Sequence, residues 1–342
     1  MESVRERFLD ELWRYGEYAT IERKYGSMPG LTGTRTIDNM EKPDTSQPPL
    51  IILNPAANRG NMVLHRSLIA SYRQRHELEY IETRLPGEAQ ELAKQAAQSG
   101  QAVVVVGGDG TLNEVVNGIL SSKSRVALGI VPAGSGNDYA CNTLQLPREP
   151  EAALERALHG SPVEVDAGIV NGHYFINAFS VGLDADIAVA VGQLKKYPLM
   201  SGARLYYTAA LKQLLLGYRH CPWLTFSIDG VEIVPEKHQF VLLAVSNGPA
   251  YGAGFRVNPQ ADYRDGYFDI CAISYTPLLR ALKLLPVLQR GEHSSEPEVK
   301  FYRAKSVRVS SALSANMQCD GETLRASMFE AQVLPGALSV RI

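Results

Sequence analysis

The chain has 342 residues, of which 45% are hydrophobic and 20% are charged. This composition excludes a disordered, fibrous or low-complexity protein, and the length predicts two domains of roughly 150 residues each. The formal net charge of −2 at pH 7 argues against a dedicated nucleic-acid-binding protein. The four cysteines are widely separated and form no Cys-x-x-Cys pair, so neither a zinc site nor a disulfide framework is expected.

The N-terminal segment, residues 1–48, predicts a helical extension followed by a linker. Apolar residues recur at steps of three and four from Val4 to Ala19, which indicates an amphipathic helix, and residues 26–49 are rich in Gly, Pro, Thr and Asp. No signal peptide and no membrane-spanning run is recognisable. We therefore expect a cytoplasmic protein whose extension packs on its own chain, pairs with a second copy in a homodimer, or lies on a membrane.

Residues 49–160 alternate short apolar strands with helices. The predicted strands are Leu50–Leu53, Leu78–Thr83, Ala102–Val106 and Val126–Val131, and the predicted helices cover 64–75, 89–99 and 112–120. Continuous apolar strands separated by helices indicate a parallel sheet with both faces covered. The pattern predicts a doubly wound α/β domain.

Residues 161–333 are predicted to form a mostly β domain. Asn171-Gly172 separates two strand-like runs, which is a strong hairpin signal, and further strand-like runs continue to the C-terminus. Only two helices are expected, at Ala203–Tyr218 and Thr276–Gln289. This pattern favours an antiparallel β-sandwich, or an open barrel, whose last strand, about 334–342, returns to the first domain.

Two glycine-rich loops follow predicted strands of the first domain. In Gly107–Thr111, an apolar strand leads through three glycines directly into a helix, so backbone N–H groups can approach an anion at the positive end of that helix. The second loop, Pro132–Asp138, follows the next strand, and the carboxyl ends of parallel strands meet at one crevice. The spacing is neither a dinucleotide fingerprint nor a Walker A loop. We expect a phosphate-binding crevice here.

Together with Asn54-Pro55-Ala-Ala-Asn-Arg-Gly60, these loops resemble the catalytic domain of diacylglycerol kinases, and most closely that of the soluble bacterial lipid kinases. The resemblance covers about residues 49–342 and extends to sphingosine kinases and, more remotely, NAD kinases. One departure is Asn58, which stands where the family usually has glycine. The resemblance implies an ATP-dependent lipid kinase that binds ATP and Mg²⁺ between its domains and phosphorylates the hydroxyl of diacylglycerol or a related lipid.

The resemblance also assigns roles to individual residues. It implies that ATP is bound by Asn54, Thr83, Gly107, Gly108, Asp109, Gly110, Thr111, Leu112, Asn113 and Ser135. Asp320-Gly321-Glu322 resembles the family's Asp-Gly-Glu motif, which implies that Glu322 is the general base and that Asp320 acts beside it. Asp109 is the candidate carboxylate nearest the Mg²⁺ that accompanies ATP.

An acidic turn at residues 262–269 resembles the place where the family holds a structural Mg²⁺. The resemblance implies a carboxylate ligand from Asp265 and main-chain oxygens from Asp262 and Tyr267. Oxygen ligands suit such a hard cation. Without the resemblance, the same residues predict a hairpin turn.

Two other functions stay open at this point. The first glycine-rich loop is shared with NAD kinases, so the acceptor could be a soluble nucleotide, and a non-catalytic lipid- or nucleotide-binding regulator could share the fold. The presence of Glu322 and the three glycines favours an enzyme. A lipid kinase needs a membrane lipid as its partner, and the leucines and basic residues at 205–218 and 278–288 suit peripheral contact with a membrane.

Overall fold

The computed structural model describes residues 47–194 and 208–342. The predicted N-terminal helix, most of the predicted linker and the start of the helix predicted at Ala203–Tyr218 lie outside these ranges. No helix within the described ranges is long and apolar enough to cross a membrane.

The first half of the chain is an α/β unit. Its elements are β1 (Leu50–Leu53), α1 (Val63–Arg73), β2 (Glu79–Glu82), α2 (Glu88–Gln98), β3 (Val103–Gly107), α3 (Asp109–Ser122), β4 (Ala127–Pro132) and α4 (Pro150–His159). The four strands are parallel, in the order β2–β1–β3–β4. Helix α4 and a π-helical turn at Asp138–Thr143 are additions to the predicted elements.

Alternate residues of the central strands serve two separate cores. Ile52 of β1 and Val105 of β3 pack with α2 and α3 on one face of the sheet. Ile51 and Val104, one residue earlier in each strand, pack with α1 and α4 on the other face. Because side chains alternate across a strand, an unbroken apolar run is buried on both faces.

The second half of the chain is mostly β-structure. Its elements are β5 (Pro162–Val170), β6 (His173–Phe175), β7 (Ala178–Gly182), α5 (Leu183–Leu194), helical turns at Gln213–Gly217 and Tyr218–His220, β8 (Trp223–Ile228), β9 (Val231–Ser246), β10 (Phe268–Ser274), α6 (Leu278–Arg290), β11 (Val299–Ala304), β12 (Ser306–Cys319) and β13 (Glu322–Arg341). The long strands β9 and β12 each pair antiparallel with β8 over one part of their length and with β7 over another. The sheet therefore folds back on itself around one apolar core.

Strand β13 joins the two halves. Its N-terminal part pairs antiparallel with β12, its later part pairs antiparallel with β5, and Ser339 and Val340 pair in parallel with β4. The last strand expected at about 334–342 is thus the C-terminal part of one longer strand, which has a break in register between Leu334 and Leu338. A single hydrogen-bonded sheet runs through both halves and sets their relative placement.

The contact between α2 and α3 depends on Gly118. A Cβ atom at this position would lie 2.2 Å from the Gln90 carbonyl oxygen, whereas a Cβ at Gly192 in α5 would meet no atom within 4 Å. We expect Gly118→Ala to lower the free energy of unfolding by about 1–3 kcal/mol, because the two helices must separate. Gly192→Ala is the control and should not destabilise the protein. Urea denaturation checks both, and an unchanged Gly118→Ala variant would contradict the packing.

Candidate active site

A cavity of about 410 Å³ lies between the two halves and brings together residues that are distant in the sequence. Its lining includes Asp109, Leu112 and Asn113 from the first glycine-rich loop and α3, and Asp320 and Glu322 from the turn between β12 and β13. A larger open groove of about 650 Å³ crosses β5, β8, β12 and β13, and it contains none of the predicted site residues. Asp109 of the predicted phosphate-binding loop, though none of its glycines, therefore lines the same space as the predicted catalytic turn.

The glycines of the first loop allow close packing rather than an unusual backbone. Neither Gly107, Gly108 nor Gly110 has a positive φ angle. A Cβ at Gly107 would lie 2.7 Å from the Cβ of Thr111, and a Cβ at Gly108 would lie 3.1 Å from the Cα of Gly134 in the second loop. The two glycine-rich loops are consequently in contact, and α3 begins at Asp109 with its N-terminus beside them.

Asn137 organises the second loop and joins it to Asp109. Its side chain accepts a hydrogen bond from the Gly134 amide at 2.9 Å and donates one to the Gly134 carbonyl at 2.9 Å. Its backbone N–H donates to Asp109 Oδ2 at 2.8 Å. Burial raises the pKa of Asp109, and the nearby charge of Asp138 adds to this effect. The ionised Asp109 carboxylate is therefore a group that an approaching cation would stabilise.

Three predicted ATP contacts, Asn54, Thr83 and Ser135, come from other segments, and none of them lines this cavity. Asn54 Nδ2 donates a hydrogen bond to Thr111 Oγ1 at 2.8 Å, so the first motif supports the first loop directly. Asn58 adopts the left-handed φ of 47° that suits the glycine it replaces. Thr83 is buried at the end of β2 and Ser135 is exposed in the second loop, and neither lines the cavity. Their contact with ATP stays a prediction.

The Asp-Gly-Glu motif is a tight hairpin turn. Asp320 and Gly321 have φ angles of 46° and 91°, which match the two left-handed positions of a type I′ turn. The Asp320 carboxylate accepts hydrogen bonds from the amides of Ile176, Asn177 and Ala178 at 2.7, 3.2 and 2.9 Å.

These contacts distinguish the two carboxylates of the motif. Burial raises the pKa of Asp320 to about 6, although its amide partners oppose this effect, and the charge of Asp109 adds to it. The Asp320 carboxylate is therefore occupied by hydrogen bonds from backbone amides. Glu322, the first residue of β13, is exposed and lines the cavity, which is the placement that a proton acceptor for a bound molecule requires.

A set of hydrogen-bonded side chains from the β-rich half lies at the cavity, and the sequence did not predict it. Gln318 donates to Ser180 Oγ at 2.8 Å and accepts from the Gly321 amide at 3.1 Å. Ser180 donates in turn to the Asp184 carboxylate, to which Tyr251 Oη also donates at 2.9 Å. Burial raises the pKa of Asp184. The available signal was an acidic residue close behind a fully buried strand, since Asp184 is the second residue of α5 and lies two residues after the end of β7.

In the acidic turn at residues 262–269, protein donors contact the carboxylates of Asp262 and Asp265. Asp265 pairs with the Arg303 guanidinium through one oxygen and accepts the Tyr267 amide at 3.0 Å through the other. Asp262 accepts the Arg264 amide at 3.1 Å. Within residues 47–194 and 208–342, no group of three or more His, Cys, Asp or Glu side chains is arranged to hold a metal ion. While Arg303 is paired with Asp265, these contacts do not fit a bound metal. The Mg²⁺ that the resemblance implies at this turn stays a prediction.

Both halves of the chain match known protein families. Residues 48–170 match the family model of the diacylglycerol kinase catalytic domain, and residues 177–342 match that of the YegS C-terminal NAD kinase beta sandwich-like domain. A YegS-like lipid kinase of Chromohalobacter salexigens is 35% identical over 258 residues, which cover 74% of this chain and 79% of the relative. A diacylglycerol kinase of Staphylococcus carnosus is 30% identical over 281 residues, which cover 80% of this chain and 87% of the relative.

Solved structures share the fold. The crystal structure of a diacylglycerol kinase from Bacillus anthracis str. Sterne superposes with a TM-score of 0.63, covering 86% of this chain and 96% of the other. The sequence identity is 20%. The order of an α/β half followed by a β-rich half is therefore common to both chains.

The raised pKa of Asp320 predicts how stability depends on pH. Between an ordinary aspartate pKa of 3.8 and about 6, the folded state binds more protons than the unfolded state, so the contribution of Asp320 to stability falls as the pH rises through this range. Asp320→Asn keeps a residue that tolerates the left-handed backbone and removes the titration. The unfolding free energy of the wild type minus that of the variant should therefore fall by up to about 3 kcal/mol from pH 4 to pH 7.

Asp229→Asn is the matched control for this experiment. The Asp229-Gly230 turn has similar left-handed φ angles, and the Asp229 carboxylate accepts the Ser306 amide at 2.8 Å, but Asp229 is exposed. Urea denaturation at several pH values measures both variants. A pH-independent difference for Asp320→Asn would show that the Asp320 carboxylate titrates as an ordinary aspartate.

Proposed function

Because the chain belongs to the diacylglycerol kinase catalytic-domain family, we propose that it is an ATP-dependent lipid kinase that phosphorylates the hydroxyl of diacylglycerol or a related lipid. The observation that carries this proposal is that Asp109, beside two interlocked glycine-rich loops, and Glu322, from the opposite half of the molecule, line one cavity. Phosphoryl transfer needs a phosphate site and a base on either side of the reacting atoms.

In this proposal, ATP enters as its Mg²⁺ complex and its phosphates lie against the first loop and the N-terminus of α3. Backbone N–H groups at the start of a helix favour negative charge. The contact between Gly108 and Gly134 leaves no side chain between the two loops, so phosphate oxygens can approach the backbone. The half-buried Asp109 carboxylate is the protein group best suited to face the Mg²⁺ that accompanies the phosphates.

Glu322 accepts the proton of the acceptor hydroxyl in this mechanism. The hydroxyl oxygen forms the new bond to the γ-phosphorus, the bond to the β,γ-bridging oxygen breaks, and ADP leaves with the electron pair. The hydroxyl proton passes to the Glu322 carboxylate. Asp320 serves as a positioning residue, because its three amide partners hold the turn that presents Glu322.

Replacing the base tests the mechanism. We expect Glu322→Gln to lower kcat by at least about a hundredfold, because the amide cannot accept the proton, while the KM for ATP changes little. Glu330→Gln, an exposed position on the same strand outside the cavity, is the matched control and should retain the wild-type rate. A fully active Glu322→Gln enzyme would remove this residue from the mechanism.

The identity of the acceptor is tested by the transfer of radiolabelled phosphate. Labelled ATP is incubated with diacylglycerol, a sphingoid base, phosphatidylglycerol or NAD, and each product is separated. Labelling of a lipid supports the proposal. Labelling of NAD alone would identify a nucleotide kinase, and binding of ATP without labelling of any acceptor would identify a regulatory protein.

The role of the first loop is tested at Gly108. A Cβ at this position would already be 3.1 Å from the Cα of Gly134, so Gly108→Ala requires a small shift and Gly108→Val forces the two loops apart. We expect ATP affinity to fall modestly in the first variant and to be lost in the second. Calorimetric titration with the Mg²⁺ complex of ATP measures both, and the thermal unfolding midpoint verifies folding. Unchanged affinity in a folded Gly108→Val protein would exclude this loop from the site.

A further inference from the structure

Two helical segments of the β-rich half expose leucines to solvent. On the helical turns at 213–217 and the helical residues that precede them, Leu211, Leu215 and Leu216 are exposed, with Leu216 at 70%. On α6, Leu279 and Leu282 are exposed, with Leu279 at 76%. We name these five residues the leucine surface. Single exposed apolar residues are common, whereas several on neighbouring helices mark an interaction surface.

The first segment contacts the residues that lead into α6, and both segments contribute to one apolar cluster, so their exposed leucines lie on neighbouring elements. Tyr218 Oη donates a hydrogen bond to the Thr276 carbonyl at 2.7 Å, and the rings of Tyr218 and Tyr275 are 5.2 Å apart. Ala209 and Ala281 are buried in one shared apolar cluster. Each segment thus has an inner face that is buried and an outer face that carries leucines.

The two leucine-bearing segments carry basic charged side chains only, although the chain as a whole has a net charge of −2 and Arg280 and Arg290 pair with glutamates outside them. Residues 208–220 and 278–290 contain no Asp or Glu. Lys212, Arg219 and Lys283 are exposed beside the leucines, and no ion pair joins them to other residues of the described ranges. Leucines flanked by exposed cations are the combination that binds anionic lipid surfaces.

The leucine surface is also linked to the active-site cavity through helix α5. Helix α5 lines the cavity through Ala188, Val191 and Gly192. The same helix packs through Ile187 and Ala190 into the apolar cluster that holds the two leucine-bearing segments together. Among the described residues, helix α5 therefore lies between the surface and the space in which the acceptor would be phosphorylated.

We propose that the leucine surface and its exposed cations dock the protein on an anionic lipid bilayer, with the leucines inserted at the level of the headgroups. Docking in this way places α5 and the adjoining cavity next to the bilayer, so that a lipid headgroup can enter without its acyl chains crossing water. This inference rests on the proposed lipid kinase activity and names the surface through which that activity reaches its substrate.

Vesicle binding tests the surface without reference to catalysis. The probe is a set of vesicles of phosphatidylcholine with phosphatidylglycerol, and pure phosphatidylcholine vesicles are the uncharged comparison. We expect the full chain to cosediment preferentially with the anionic vesicles, and the double variant Leu216→Ser, Leu279→Ser to bind them at least about tenfold more weakly. Lys212→Gln with Lys283→Gln should weaken binding and reduce its dependence on salt.

Matched controls come from the α/β half. Val63 and Leu64 on α1 are exposed to a similar degree, so Val63→Ser with Leu64→Ser removes comparable apolar surface from a helix remote from the cavity. This control should bind vesicles as the wild type does. The leucine variants substitute exposed side chains only, and thermal unfolding verifies that each is folded.

Catalysis separates this inference from the proposed function. With a short-chain diacylglycerol dissolved as monomers, the leucine variant should phosphorylate the acceptor at the wild-type kcat, and its loss should be confined to acceptor presented in vesicles. Vesicle binding through the leucine surface without phosphorylation of any lipid would overturn the kinase proposal and leave the surface standing.

Two results would overturn the docking surface. The first is equal vesicle binding by the wild type and the leucine variant. The second is a change from dimer to monomer in the leucine variant while vesicle binding stays unchanged. Analytical ultracentrifugation measures this change, and it would show that a second copy of the chain covers the leucines.

Discussion

The Asp320 carboxylate is the contact on which the geometry of the site depends. It accepts three backbone amides from residues 176–178, the segment that enters β7, and so holds the β12–β13 turn against the start of the β-rich half. The same turn begins β13, which pairs with β5 and finally with β4. One carboxylate and one continuous strand thereby hold Glu322 in the cavity that Asp109 also lines.

Several carboxylates share the cavity, which is partly shielded from water. Burial raises the pKa values of Asp109, Asp184 and Asp320, and the charge of Asp109 adds to the effect on Asp320. Hydrogen bonds from backbone amides and from Ser180 and Tyr251 offset part of the free-energy cost of burying these carboxylates. A site of this kind favours a ligand that arrives with a cation, which is how a nucleoside triphosphate enters a kinase.

Elements that depend on local sequence were predictable, whereas elements that depend on contacts between distant segments were not. Strands β1, β3 and β4 were predictable because an apolar run bounded by Gly, Pro or Asn encodes a buried strand locally. Helix α5 was missed because its sequence, Leu183–Leu194, is apolar on most sides and has no clear amphipathic period. The extent of β13 was missed because Pro335 and Gly336 interrupt a pattern that tertiary pairing with β5 continues across.

The sequence by itself determined the local chemistry: the glycine-rich loops, the Asp-Gly-Glu turn and their order along the chain, since these depend on backbone conformation and on neighbouring residues. Only the tertiary structure decided which carboxylates face the cavity and which are bound to the backbone. It showed Asp320 engaged by amides, Asp265 engaged by Arg303, and Asp184 joined to the site through Ser180 and Tyr251. The partners of a buried charge come from distant segments, and no local pattern specifies them.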